Sequence, residues 1–303
     1  MSYSPYYSLP MISEELRISL SVKRDDLLPD FLGGNKVRKN RAIFENFGNK
    51  VDVIITNGGV ESNHARVCAL MAAQRGNKCH LVLHGTPEDS NFLNGNRFFI
   101  EASGAQVSYV AATEIAETIA NIKSHYLNKG LGVEVVPGGG HSIEGAKAYM
   151  NAVNELPEEP DYIFLASGTG ATHAGIQAGV VARGWRTKVV GISIARLNPR
   201  GAEAVEEVYY PLIQQEFGLT KEQCPAIEFV DDYVCGGYSK YSPVLIERIQ
   251  KAICSTGLPL DPVYSGKAFV GMVDYLKKHQ VQGGSRVVFW HTGGLLNLQS
   301  SKT

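Results

Sequence analysis

Short apolar runs, each followed by a glycine-bearing turn and then by apolar residues at helical spacing, recur along the chain. Residues 51–56 read as a strand, 57–60 as a turn and 62–75 as a helix. Strand patterns follow at 80–83 and 106–110, then a helix at 112–128 and a strand at 132–136. Three consecutive glycines at 138–140 lead into a helix at 143–156. The alternation resumes with a strand at 162–166, a glycine-rich exit into a helix at 173–183, and a strand at 188–195. Strands that alternate with helices rather than with hairpins predict a parallel α/β architecture, and a second such series predicts a second sheet or a widened one. Pro157 and Pro160, with acidic residues between them, mark a candidate hinge, because proline ends the preceding helix.

Composition narrows what this architecture can bind. Lys and Arg number 29 against 30 for Asp and Glu, so no net field draws the chain to nucleic acid, an anionic membrane or acidic polymers. A small-molecule partner is expected. Hydrophobic residues make up 44% of the 303 positions, enough for a sizeable core. No apolar run reaches the length of a membrane span, and the first residues lack a basic region followed by an apolar one. A cytoplasmic protein is therefore expected. The five cysteines, Cys68, Cys79, Cys224, Cys235 and Cys254, are odd in number and too scattered for a zinc pattern, which predicts reduced thiols and no metal site.

Candidate chemistry sits in the turns. Ser167, Gly168, Thr169, Gly170, Ala171 and Thr172 lie between an apolar strand and a helix. The unpaired N–H groups of a helix start and its dipole favour an anion there, and glycines let the backbone wrap closely around a phosphate. His173 replaces the third glycine of a dinucleotide fingerprint, and no Lys-Ser or Lys-Thr completes a P-loop. The plainer reading is an ordinary turn rich in small residues. Lys36 follows Gly33, Gly34 and Asn35, amid Lys23, Arg24, Arg38, Lys39 and Arg41. Burial or neighbouring cations would lower its pKa, as an imine-forming amine requires; a solvated basic loop is the alternative. In the 58–64 turn Ser62 or Asn63 suits a helix N-cap, while Ser62, Asn63 and His64 could together offer donors to a carboxylate. The turns at 138–140 and 291–294 also follow strands, and in an open parallel sheet such turns gather at one edge, where ligands bind. Tyr264 in the 260–267 stretch and Tyr238 after Gly236 and Gly237 could face a ligand or be ordinary buried tyrosines.

Taken in order, KRDDL (23–27), GGNKVRK (33–39), GGVESNHAR (58–66), NGNR (94–97), PGGG (137–140), SGTGATHAG (167–175), LDPVYSGKA (260–268) and HTGG (291–294) resemble the D-cysteine desulfhydrase and 1-aminocyclopropane-1-carboxylate deaminase family of pyridoxal-phosphate enzymes. They span nearly the whole chain. The resemblance implies a tryptophan synthase β-like fold (fold type II): two α/β domains with mostly parallel sheets and the cofactor between them. The larger would take residues 1–39 and 149–303, the smaller 40–148. It implies that Lys36 carries pyridoxal 5'-phosphate as a Schiff base, that Asn63 bonds the phenolic oxygen, and that Gly168, Thr169, Gly170, Ala171 and Thr172 cradle the phosphate. Thr292, or Ser265, would set a hydroxyl near the pyridine nitrogen. Ser62, Asn63 and His64 would hold the substrate carboxylate, with Tyr238 and Tyr264 flanking the reacting carbons, Tyr264 moving a proton to the leaving group and Ser62 assisting. A homodimer is expected.

Deaminases of the family carry Glu after the DPVY tyrosine and Leu within the H-x-G-G turn, whereas this chain has Ser265 and Thr292. Both lean toward the desulfhydrases, whose usual residues there are threonines. Gly-Tyr-Ser at 237–239 stands where the family usually has Gly-Tyr-Gly. The expected activity is a lyase or deaminase acting on a small amino acid, with D-cysteine going to pyruvate, ammonia and sulfide. Ring-opening deamination and β-replacement are alternative outcomes of the same chemistry, and a non-catalytic binder of a phosphorylated small molecule is the alternative outside enzymes.

Overall fold

The computed structural model describes residues 3–48, 50–86 and 95–300. Its strands are β1 (Tyr6–Ser8), β2 (Ser19–Arg24), β3 (Val53–Gly59), β4 (Lys78–His84), β5 (Gln106–Val110), β6 (Val133–Val136), β7 (Tyr162–Ser167), β8 (Lys188–Ser193), β9 (Glu228–Val230) and β10 (Arg286–His291). Its α-helices are α1 (Pro10–Leu16), α2 (Asn35–Glu45), α3 (Asn63–Gln74), α4 (Gly95–Ala102), α5 (Ile115–Leu127), α6 (Ile143–Ala152), α7 (Ala171–Ala182), α8 (Arg200–Phe217), α9 (Pro243–Thr256), α10 (Ser265–Lys278) and α11 (Asn297–Ser300). Two units divide them: residues 1–35 with 145–295, and residues 36–144 with 296–303.

The larger unit holds the sheet ordered β1-β2-β10-β7-β8-β9, parallel except for β1 against β2. Successive residues of its central strands enter different cores. Phe164 joins Leu20, Val22, Ile192, Phe269 and Phe289, while Ile163 and Leu165 join Tyr149, Val153, Ile176, Val180 and Trp290. A parallel sheet covered on both faces requires apolar residues at both alternating positions, which is why these strands read as unbroken apolar runs. The smaller unit holds the all-parallel sheet β5-β4-β3-β6, where Val53 and Ile55 of the inner strand pack with Tyr126, Ile119 and Ile122 of α5. The α/β class with two parallel-rich sheets is thus as the pattern predicts. No helix among the described residues is long and apolar enough to cross a membrane.

Three particulars differ from the sequence reading. The segment 157–160 lies inside the larger unit and is not a boundary. Leu156 is buried before it, Thr187 Oγ1 donates to the Pro160 carbonyl at 2.6 Å, and Asp161 bonds through its backbone to Arg286 and Lys188. The stretch 33–36 is not wholly a loop, since α2 begins at Asn35 and puts Lys36 in a helix's first turn. The units part after residues 35 and 144, against the expected 39 and 148, and residues 296–303 join the smaller unit. Of the basic residues around Lys36 in sequence, Lys23 is buried on Glu155 at 2.6 Å and Arg24 on Asp26 at 2.7 Å.

Candidate functional site

In the larger unit, β7 delivers Ser167 to the turn and α7 begins four residues later, at Ala171. Gly170, with φ 108°, occupies a conformation closed to other residues, and a Cβ there would fall 2.7 Å from the Ala204 carbonyl oxygen. It is also the N-cap of α7, so no side chain caps the helix. The first donation back into the helix comes from Ala174 N–H to the Gly170 carbonyl, 2.9 Å. The N–H groups ahead of it are left for an anion. Thr172 Oγ1 accepts from Asn35 Nδ2 at 3.0 Å, which leaves the threonine proton free to be donated. Arg196 steadies the same turn by donating to the Thr169 carbonyl at 3.1 Å.

Asn35 reaches a second turn as well, its backbone N–H donating to the Thr292 carbonyl at 2.9 Å. A Cβ on Gly294 (φ 115°) would fall 2.7 Å from Asp261 Oδ1 and 3.0 Å from the Tyr264 ring, so glycine lets the 291–294 turn sit directly on the 261–265 turn. Buried Asp261 organises that turn, accepting the N–H groups of Val263, Tyr264 and Ser265 and, at 2.7 Å, the Ser265 hydroxyl. Ser265 therefore spends its proton within the chain, whereas the Thr292 hydroxyl has no partner among the described residues. The hydroxyls of Tyr238 and Tyr264 share a hydrogen bond, their rings edge to face with centroids 6.0 Å apart. Buried Lys267 holds the approach to Tyr238 by donating to the Val234 carbonyl at 3.0 Å. Ser239, at the family's usual glycine, has φ 58°, a left-handed conformation that glycine takes without steric cost.

In the smaller unit, Lys36 and Lys39 stand one helical turn apart on α2 and hydrogen-bond to each other. Lys36 is half-buried with its amine desolvated, and burial brings its pKa down to about 8. Burial and the Lys36 charge push the Lys39 amine down too, and it donates to the Gly139 carbonyl. Held neutral by burial, the Lys39 amine accepts a hydrogen bond from Lys36, which favours the charge on Lys36 and disfavours it on Lys39.

Next to them, β3 hands over to α3, whose N-cap is Ser62; its Oγ accepts the Ala65 N–H at 3.2 Å. His64 is fully buried, which drives its pKa well below the ordinary range and keeps the ring neutral. Thr56 Oγ1 donates to the Val136 carbonyl at 2.7 Å, so it accepts from His64 Nε2–H at 2.8 Å. Nδ1 then accepts from Asn40 Nδ2 at 3.3 Å. With both ring nitrogens engaged, what His64 has left for a carboxylate is its backbone N–H in the first turn of α3. Asn63 Nδ2 donates to Asn297 Oδ1 at 2.7 Å. Asn94 of the NGNR segment lies outside the described residues, while Asn96 is buried and donates to the Glu61 carbonyl at 3.0 Å.

Sequence reasoning passed over Lys39 as a partner, although its spacing of three from Lys36 carries the signal once a helix is assumed. Asn297 carries no signal in the sequence at all.

Comparison with known proteins identifies this chemistry. The family described as pyridoxal-phosphate dependent enzyme matches residues 2–293. A Pyrococcus furiosus protein provisionally named 1-aminocyclopropane-1-carboxylate deaminase is 33% identical, over 96% of this chain and 89% of its own length. The D-cysteine desulfhydrase of Serratia proteamaculans is 30% identical, over 97% and 92%. The crystal structure of an ACC deaminase homologue superposes with a TM-score of 0.85 at 30% identity, covering 99% of this chain and 91% of the other.

Proposed function

The chain belongs to the pyridoxal-phosphate-dependent enzymes, and from that premise we propose that it carries out β-elimination on a small D-amino acid, D-cysteine foremost, releasing pyruvate, ammonia and hydrogen sulfide. That it is a lyase or deaminase using pyridoxal 5'-phosphate follows from the family and from relatives of both names. The choice between those activities is carried by one pair of residues. Ser265 and Thr292 stand where the deaminases of the resembled family have Glu and Leu, and the Ser265 hydroxyl is bonded to Asp261.

The residues present fit the cofactor. An uncapped helix start closed by Gly170 suits a phosphate, and Lys36 has an amine that burial makes easier to deprotonate. At pH 7 a lysine with a pKa of about 8 is neutral in about a tenth of molecules, against well under a thousandth for an ordinary one. In this reading Lys36 Nζ holds the aldehyde carbon, the 168–172 backbone and the Thr172 hydroxyl bind the phosphate, and Asn63 donates to the phenolic oxygen. Thr292 is the hydroxyl for the pyridine nitrogen, because it can donate or accept while Ser265 can only accept. Pyridoxal phosphate, when bound, supplies a sink for the electron pair left at the substrate's α-carbon.

The substrate carboxylate is held by the Ser62 hydroxyl, which keeps its proton while its oxygen accepts from Ala65, and by the first N–H groups of α3. Lys36 Nζ would be the base that takes the α-proton. Tyr264, sharing a hydrogen bond with Tyr238, gives a proton to the departing sulfur, and water completes the conversion to pyruvate and ammonia. The reading includes a homodimer in the cytoplasm, supported by the family resemblance. Incubation with D-cysteine, 1-aminocyclopropane-1-carboxylate and O-acetylserine tests it: sulfide with pyruvate is expected, while 2-oxobutyrate or a new amino acid without sulfide would replace it.

A further inference from the structure

Asn63 is held by a residue from the far end of the chain. Its Nδ2 donates to Asn297 Oδ1 at 2.7 Å. Buried Asn297 donates in turn from its own Nδ2 to the Glu61 carbonyl at 3.2 Å, which also accepts from Asn96. A carboxamide has a donor end and an acceptor end of nearly equal shape, so only its partners decide which way it points. The Glu61 carbonyl can only accept. It therefore turns the NH2 of Asn297 toward itself and the oxygen of Asn297 toward Asn63. That oxygen can also only accept, so it turns the NH2 of Asn63 toward itself, and one further N–H of that group remains to be given elsewhere.

We propose that Asn297 is a positioning residue that keeps Asn63 a hydrogen-bond donor toward the cofactor's phenolic oxygen. The proposal rests on the reading of Asn63 given above. Without Asn297 the Asn63 amide is free to rotate by half a turn and present its oxygen to another oxygen, which removes a favourable contact and sets two acceptors face to face. The polarity is relayed from a main-chain carbonyl through two side chains, and all three groups belong to the smaller unit.

The test uses the holoenzyme and reads the visible absorption of the bound cofactor against pH, together with the cofactor dissociation constant, neither of which depends on turnover. Asn63→Ala sets the scale of a full loss. Asn297→Ala is expected to move the absorption midpoint in the same direction as Asn63→Ala by at least half as much, and to weaken cofactor binding severalfold. The double variant should match Asn63→Ala alone, because the two residues act through one contact. Asn297→Asp keeps the acceptor oxygen and should displace the midpoint less than Asn297→Ala. A wild-type midpoint in Asn297→Ala beside a shifted one in Asn63→Ala overturns the proposal and leaves the reading of Asn63 standing, as does an additive double variant. A wild-type midpoint in Asn63→Ala refutes that reading, and the proposal with it. Circular dichroism accompanies each variant. Where Asn297→Ala does not fold, Asn297→Asp decides: a midpoint close to wild type supports the proposal, and one displaced as far as in Asn63→Ala overturns it.

Discussion

Helices α7 and α3 both leave a parallel strand through a short turn of small and polar residues, yet they begin in opposite ways. The N-cap of α7 is Gly170, which has no side chain to offer. That of α3 is Ser62, whose oxygen accepts an N–H from the first turn. The α7 turn is open and presents main-chain donors, which suit a group defined by its charge. The α3 turn partly closes on itself and presents side chains, which suit groups that must be told apart atom by atom. Under the proposed function, the α7 turn contributes grip on the cofactor through backbone, and Lys36 and Asn63 contribute reactivity.

The sharpest way to break that division is Lys36→Ala. Turnover should fall by at least about a thousandfold, as for loss of a residue that is both nucleophile and base, and the visible band of bound cofactor should vanish. A phosphate-bearing cofactor analogue should still bind, since the α7 turn is untouched; loss of that binding would undo the separation of roles. Gly170→Ala probes the other side. A Cβ in a left-handed conformation costs about 1–2 kcal/mol and meets the Ala204 carbonyl, so the cofactor dissociation constant should rise about tenfold or more. The rate at saturating cofactor should change little, and a large fall in that rate would show that the turn does more than grip.

Acidity separates the regions in another way. Burial lowers the Lys36 pKa in the folded protein to about 8, so the neutral, attacking form accumulates as pH rises through that value. Stopped-flow capture of pyridoxal phosphate by apoprotein should quicken about tenfold between pH 7 and pH 9 and then level off. A rate still climbing beyond pH 10 would mean that the amine is not desolvated. Ser62→Ala should have the smallest effect. Loss of the α3 cap costs about 1 kcal/mol and lowers Tm by a few degrees, and KM should rise because the carboxylate loses a donor. An unchanged KM would reduce Ser62 to its capping role.

Much of this was legible in the residues, for physical reasons that differ from place to place. The central strands showed because both faces are buried and their apolar runs are unbroken. The 168–172 turn showed as a strand-to-helix connection because its glycines end the apolar run, and Gly170 takes a conformation that a side chain would not fit. His64 was expected to offer a donor to a carboxylate, but its two ring nitrogens meet Thr56 and Asn40, residues that its own sequence neighbourhood does not reveal. Pro157 and Pro160 looked like a hinge because proline interrupts a helix, but the carbonyl of Pro160 is tied to Thr187. Asn297 depends on packing between residues distant in sequence, which local periodicity does not encode, whereas Lys39 lies one helical turn from Lys36 and shows once a helix is assumed.

The bond between Asn63 and Asn297 joins positions 234 residues apart, and that interval is also a span of time. A ribosome adding about 5–20 residues per second delivers Asn297 on the order of ten seconds or more after Asn63. Throughout that interval the growing chain holds Asn63 without the residue to which its amide donates. Under the reading of Asn63 proposed above, the donor offered to the cofactor gains its support only after 234 further residues have been added.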